Sequence, residues 1–213
     1  MEELSPGLRE RTRRAVQADL MSIAMRLFVE RGYDGTSVEE IATEAGISKR
    51  SFFRYFGSKE DVVLGNLEYG GQQLASALAE RPDDEPAWTA LRRAFEVIAK
   101  HNDHDPTGTL AVLRMLRDTP SLKARHLEKQ SRWRELLAPH LAPRLPPRPP
   151  TAASDSADPR AVAIAGAALA CLDAAQTVWV AAEGRVRLAN LLDESMGAVG
   201  VLPSVPAPGQ LAV

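Results

Sequence analysis

The sequence predicts an all-α fold on three grounds. Apolar residues recur at three- and four-residue spacing, the signature of one buried helix face, and no segment reads convincingly as a strand. Caps, glycines and prolines punctuate the chain every few helical turns. Aromatics make up only 5 % of the 213 residues while alanine and leucine abound, which suits helix-on-helix packing. About nine helices are expected. Three would form an N-terminal head over residues 1–57, and the others a larger helical body over 58–201.

The first helix is expected from about Leu8 to Arg31, with Leu20, Ala24, Leu27 and Phe28 on one face and Gly32 as a left-handed C-terminal cap. Ser37 and Glu40 have the spacing of a capping box and begin a short second helix. Val38, Ile41, Ala42 and Ala45 give that helix its buried side, and Gly46 ends it. Ser48 caps a third helix through about Tyr55. Ser58 and Asp61 start a fourth that runs to about Glu80, in which Gly65, Gly70 and Gly71 weaken the helix locally.

The break Arg81-Pro82-Asp83-Asp84-Glu85-Pro86 precedes a fifth helix to His101, with Trp88, Leu91, Phe95 and Ile98 on one face. A sixth spans about Thr107–Asp118. Thr119-Pro120 opens a seventh, with proline at the first helical position, that runs to about Ala138. Residues 139–158 are rich in proline, serine and alanine and read as a mobile linker. Asp158-Pro159 restarts a helix to about Glu183, and a last one covers Val186–Val199. The tail, 202–213, reads as disordered.

The segment from Ser37 to Phe56 has the order of parts that a helix-turn-helix requires: a supporting helix, a glycine turn and a capped second helix. Phe52 and Phe56, four apart, would face the core, which leaves Lys49, Arg50, Ser51 and Arg54 outward. Between Gly46 and Lys59 the chain has four bases, Lys49, Arg50, Arg54 and Lys59, and no acid. Arg and Lys match the paired acceptors of guanine in the major groove, or a phosphate. Thr36, Ser37, Ser48, Tyr55 and Lys59 are placed to assist helix-start amides in holding phosphates. A second basic cluster, Arg9, Arg11, Arg13 and Arg14, lies upstream. The net charge of −2 is therefore locally redistributed, and it argues against non-specific coating of nucleic acid.

Within residues 20–65, the runs Leu27-Phe28-Val29-Glu30-Arg31-Gly32-Tyr33-Asp34-Gly35-Thr36-Ser37 and Gly46-Ile47-Ser48-Lys49-Arg50-Ser51-Phe52-Phe53-Arg54-Tyr55-Phe56 resemble the head of the tetracycline-repressor (TetR) family. The resemblance covers under a third of the chain. It implies a homodimer, usually a repressor, that leaves a palindromic double-stranded DNA operator when a small molecule binds its C-terminal body. It also implies pairing through the last two long helices, for which Ala165, Leu169, Leu172, Ala175 and Val178 supply a face of small and aliphatic residues. The chain departs from the family at Arg50, where glycine or a small residue is usual, and at Phe53, where tyrosine is frequent. Phe53 cannot donate to a phosphate. Arg-Asp-Thr-Pro-Ser-Leu (117–122) before a long helix with Trp133 resembles a branch that senses acyl-CoA-like molecules.

Trp88, Phe95, Met115 and Trp133 could line an apolar effector pocket, and each also suits a bundle core. The fourth helix, joining head to body, is the expected lever of any two-state switch. His101-Asn102-Asp103-His104-Asp105 reads as a solvated loop rather than a metal site. No catalytic constellation or cofactor motif stands out, so neither enzyme chemistry nor a cofactor is expected. Cys171, the single cysteine, reads as a small buried hydrophobe and fits a reducing cytoplasm. No uninterrupted apolar run reaches the roughly 18 to 20 residues of a membrane span, and no signal peptide is apparent. Two rivals are a helical ligand-binding protein or enzyme with an incidental basic head, and an architectural protein that binds DNA without sequence preference.

Overall fold

The structure, a computed structural model, describes residues 7–147 and 157–200. The expected disordered tail, most of the expected linker beyond residue 147 and the first six residues lie outside the described residues. All regular structure among the described residues is helical: α1 (Leu8–Arg31), α2 (Val38–Glu44), α3 (Lys49–Tyr55), α4 (Lys59–Ala79), α5 (Ala87–Ala94), α6 (Glu96–His104), α7 (Pro106–Asp118), α8 (Pro120–Leu141), a 3-10 turn (Ala142–Arg144), α9 (Pro159–Ala181) and α10 (Leu188–Gly200).

Local chemistry starts most of these helices where the sequence places them. The Ser37 hydroxyl accepts from the Glu40 amide, and the Glu40 carboxylate accepts from the Ser37 amide at 2.8 Å. Ser48 accepts from the Ser51 amide, Ser58 from Asp61, and Asp158 from Arg160. Each cap satisfies an amide that has no partner inside its own helix.

Four local expectations change. The fifth helix is present as α5 and α6, interrupted at Phe95, whose carbonyl accepts from both Ile98 and Ala99. That shared acceptor tightens one turn without ending the helical course. The sequence His101–His104 belongs to α6 instead of a loop, and Asp105 accepts from the Gly108 amide. The linker expected from Pro139 begins later. Pro139 lies inside α8, Leu141 is fully buried, and Arg144 donates to the carbonyls of Leu78 (3.3 Å) and Arg81 (2.9 Å). Its guanidinium thereby caps the C-terminal end of α4. Gly32 has a positive φ of 80° but a ψ of 155°, so it leaves α1 extended and not through a left-handed turn.

The chain divides into two compact units, 1–70 with 111–129 and 71–110 with 130–213. The division differs from the expected break at residues 57/58, because it falls within α4, α7 and α8. In the first unit Leu20, Ala24, Leu27 and Phe28 of α1 pack with Ile41, Phe52 and Phe56 and with Val62–Leu64 of α4. Leu116 and Leu122 complete this core. Lys129 of α8 donates to the Leu64 carbonyl at 2.6 Å.

In the second unit α9 packs along α10 and against α5, and α10 also meets α5 and α6. Nine α9 residues are buried, among them Ala165, Leu169, Cys171, Leu172, Ala175 and Trp179. Cys171 is buried as expected, and its carbonyl accepts from Ser195 of α10 at 3.1 Å. Burial pushes its thiol pKa up. The face of small and aliphatic residues expected to pair with a second copy is therefore occupied within the chain; of its members only Val178 is exposed, at 50 %. The exposed residues of α9 include Ala163, Ala170, Asp173, Ala174, Thr177, Val178 and Ala181, with Asp173 at the edge of the alanine stripe. α9 has the length and apolar content to cross a membrane, although Asp173 interrupts it and 39 % of its most apolar window is buried in the fold.

Trp133 of α8 explains one glycine of α4. A Cβ on Gly71 would stand 2.3 Å from the Trp133 indole nitrogen, so the indole occupies the space a side chain would need. Gly71 provides room for packing, and α4 remains helical through it.

Candidate nucleic-acid interface

The turn between α2 and α3 is set by backbone hydrogen bonds. The Ile47 amide donates to the Ala42 carbonyl (2.9 Å) and the Gly46 amide to Thr43 (3.0 Å), the paired bonds of a Schellman motif. The motif requires a left-handed residue, and Gly46 has φ of 67°. Ile41, Ala42 and Phe52 are buried beneath the turn. With Phe52 locked inward, the helical period turns Arg50, Phe53 and Arg54 outward.

The structure brings Arg50, Ser51 and Arg54 together, with Lys49 exposed beside Glu39 of α2. Lys49, Arg50 and Arg54 are exposed, and Arg50, Ser51, Phe53 and Arg54 line an open depression. The Arg54 guanidinium lies 5.2 Å above the Tyr55 ring and donates to its hydroxyl at 3.4 Å. Stacking of this kind restricts a long cation before it meets a ligand. The Tyr55 carbonyl accepts from Gln17 of α1 at 3.0 Å. Lys49 is ion-paired with Glu39 of α2, and its ammonium holds the Glu39 carboxyl below the usual carboxylate range.

Two residues expected at the DNA surface are turned inward. Thr36 is 1 % exposed, and its hydroxyl donates to the carbonyls of Gly32 (2.9 Å) and Leu27 (3.3 Å). It braces the α1–α2 loop. The Lys59 ammonium donates to the Tyr33 (2.8 Å) and Thr36 (3.0 Å) carbonyls and stands 4.1 Å from the centre of the Tyr33 ring. An ammonium has three donors, and these contacts draw them to the protein interior. Ser37 and Ser48 remain exposed while capping their helices.

Sequence reasoning passed over three members of this region. Phe53 is 45 % exposed and edge-on to Phe52, with ring centres 5.6 Å apart. It was set aside because it cannot donate, yet an apolar ring can meet a thymine methyl. Glu39 carried a signal only as one of two acids in the first turn of α2. Gln17 carried none, since its partner is 38 residues away.

Of the four residues expected to line an effector pocket, Trp88, Phe95 and Trp133 belong to the second unit and Met115 to the first. Phe95 is fully buried and Trp133 nearly so, both in the second unit. Trp88 is half-buried beside α10, where its indole donates to the Met196 carbonyl at 3.2 Å. It lines an open groove of about 570 Å³ with Arg92, Arg93, Glu96, Asp193 and Met196. Met115 packs against the core of the first unit. Among the described residues no three His, Cys, Asp or Glu side chains cluster as a metal site.

Residues 20–65 match the family described as bacterial regulatory proteins, tetR family, and residues 85–201 match the MftR C-terminal domain. The HTH-type transcriptional regulator TcmR of Streptomyces glaucescens is 34 % identical over 139 residues, which are 62 % of each chain. The putative mycofactocin biosynthesis transcriptional regulator MftR of Mycobacterium tuberculosis is 28 % identical over 132 residues, covering 62 % of this chain and 67 % of that one. The chain thus spans less than two thirds of the length of TcmR. Among solved structures, Thermus thermophilus FadR, a TetR-family transcriptional repressor in complex with lauroyl-CoA, shares the fold at a TM-score of 0.54. It is 24 % identical and covers 91 % of this chain and 99 % of its own.

Proposed function

The chain belongs to the TetR family of bacterial regulatory proteins, and from that premise we propose that it is a dimeric, sequence-specific DNA-binding repressor released from its operator by a small effector. The observation that carries this reading is the exposed basic face of α3, held outward by the Gly46 turn and the buried Phe52. Lys49, Arg50, Ser51 and Arg54 are the base readers, with Phe53 as an apolar contact. Ser37, Ser48 and Tyr55 stand at the margins, where phosphates pass. A protein that reads chromosomal DNA works in the cytoplasm, and regulation in this form needs no catalytic group.

The effector binds in the second unit and is of acyl type. Support comes from the lauroyl-CoA bound by the FadR that shares the fold, and from the apolar side chains of Phe95 and Trp133. Both are buried here, so an acyl chain entering among them would favour a rearranged state over this one. Dimer formation uses the exposed side of α9, at Ala163, Ala170, Ala174 and Val178, where small side chains allow close backbone approach.

The test is selection of duplexes from a random pool by the full chain. A palindrome with half-site centres about one helical turn apart is the expected result, and lauroyl-CoA should weaken binding to it. Recovery of unrelated duplexes would leave an architectural protein, and no recovery would leave a protein whose basic head is incidental; either overturns the reading.

A further inference from the structure

α2 has three acids, and each is paired to a base. Glu40 accepts from Arg31 at 3.2 Å and Glu44 from Arg26 at 2.5 Å, both on α1. Only Glu39 reaches across the turn to α3, where it pairs with Lys49, the first residue of that helix. Both side chains remain half-exposed, 58 % for Glu39 and 52 % for Lys49. An exposed pair of this kind contributes little to stability. Its effect falls instead on what Lys49 can bind.

A phosphate offers acceptors only, so a carboxylate held against the lysine opposes that contact. A G·C pair offers both signs side by side in the major groove: the N7 and O6 acceptors of guanine and the N4 amino donor of cytosine. A lysine that donates and a carboxylate that accepts match that edge together.

We propose that Glu39 is a specificity-determining residue, which with Lys49 reads one G·C base pair as a unit and discourages Lys49 from binding phosphate alone. The inference rests on the proposed DNA-reading role of α3. Glu39 acts on Lys49 in the free protein and meets the cytosine amino group only on a matched site. On unmatched DNA its charge faces the polyanion with no donor to accept from.

The experiment compares Glu39→Gln with wild type on the best-bound duplex from the random-pool selection, on its single-base-pair variants and on a scrambled duplex of equal composition. Glu44→Gln is the control, because it removes the same charge from α2 while Arg26 keeps Glu30 as a partner. Glu39→Gln should lower the ratio of matched to scrambled affinity about tenfold and relax preference at one G·C position. It should also steepen the salt dependence on scrambled DNA by about one phosphate's worth, as Lys49 becomes available. Glu44→Gln should do neither, and thermal unfolding should confirm that both variants are folded. An unchanged ratio in Glu39→Gln, or one that falls equally in Glu44→Gln, overturns the inference. If wild type selects no sequence at all, the functional reading fails instead.

Discussion

Lys59 and Arg50 both read in the sequence as cations available to DNA, and from their different surroundings we propose opposite work for them. Lys59 ties the start of α4 to the α1–α2 loop through the Tyr33 and Thr36 carbonyls. Hydrogen bonds from a charged donor contribute about 1.5–3 kcal/mol, less where water reaches the group. Lys59→Met should therefore lower unfolding free energy by about 1–2 kcal/mol while leaving the salt dependence of DNA binding unchanged. Arg50, exposed on α3, should behave the other way. Arg50→Ala should keep stability within about 0.5 kcal/mol. It should cost about 1–3 kcal/mol of operator binding and relax one base position. Denaturant titration and binding to single-base variants at several salt concentrations measure the four quantities. A flattened salt slope in Lys59→Met would return that residue to the phosphate contacts. Nothing in the sequence separates these two cations, because the carbonyls that hold Lys59 lie more than 20 residues away.

The helices were legible wherever their ends are written in neighbouring side chains. Ser37 with Glu40, Ser48, Ser58 and Asp158 with Pro159 all cap within three residues, so spacing alone locates them. The end of α8 was not, since Arg144, just beyond it, is held by carbonyls 66 and 63 residues upstream. The α2–α3 turn shows what a local signal is worth. Nothing stands within 4 Å of a Cβ built on Gly46, so replacing it meets no clash and only the left-handed backbone opposes a side chain. Gly46→Ala should destabilise the protein by about 1 kcal/mol, and Gly46→Asn by less, because asparagine tolerates that region. Chemical denaturation of the two variants provides the comparison; an Asn variant no better than Ala would count against backbone strain as the cause.

For the molecule as a whole the main proposal is association through the exposed side of α9. A stripe of alanines with Val178 lies outward, bordered by Asp173, while the opposite side is filled by α10 and α5. Ala170→Glu adds a charge at the centre of the exposed stripe without touching the internal face. It should convert a dimer to a folded monomer at micromolar concentration in sedimentation, and abolish binding to a two-half-site operator. Half-site affinity should persist, since α3 belongs to the other compact unit. A dimer that survives Ala170→Glu would place the interface elsewhere.

The sequence by itself determined the all-α class, the caps, the Gly46 turn and the basic character of α3, because each depends on residues within one or two helical turns of one another. Tertiary structure alone decided which side of α9 is internal, which cations of the head remain accessible, and that Gly71 makes room for Trp133. Alanine and leucine suit a partner helix of the same chain as well as one of another copy, so the apolar pattern of α9 did not say which would cover it. Lysine likewise donates equally well to a phosphate or a carbonyl. Only the fold brings the Tyr33 and Thr36 carbonyls to the Lys59 ammonium and the Glu39 carboxylate to that of Lys49.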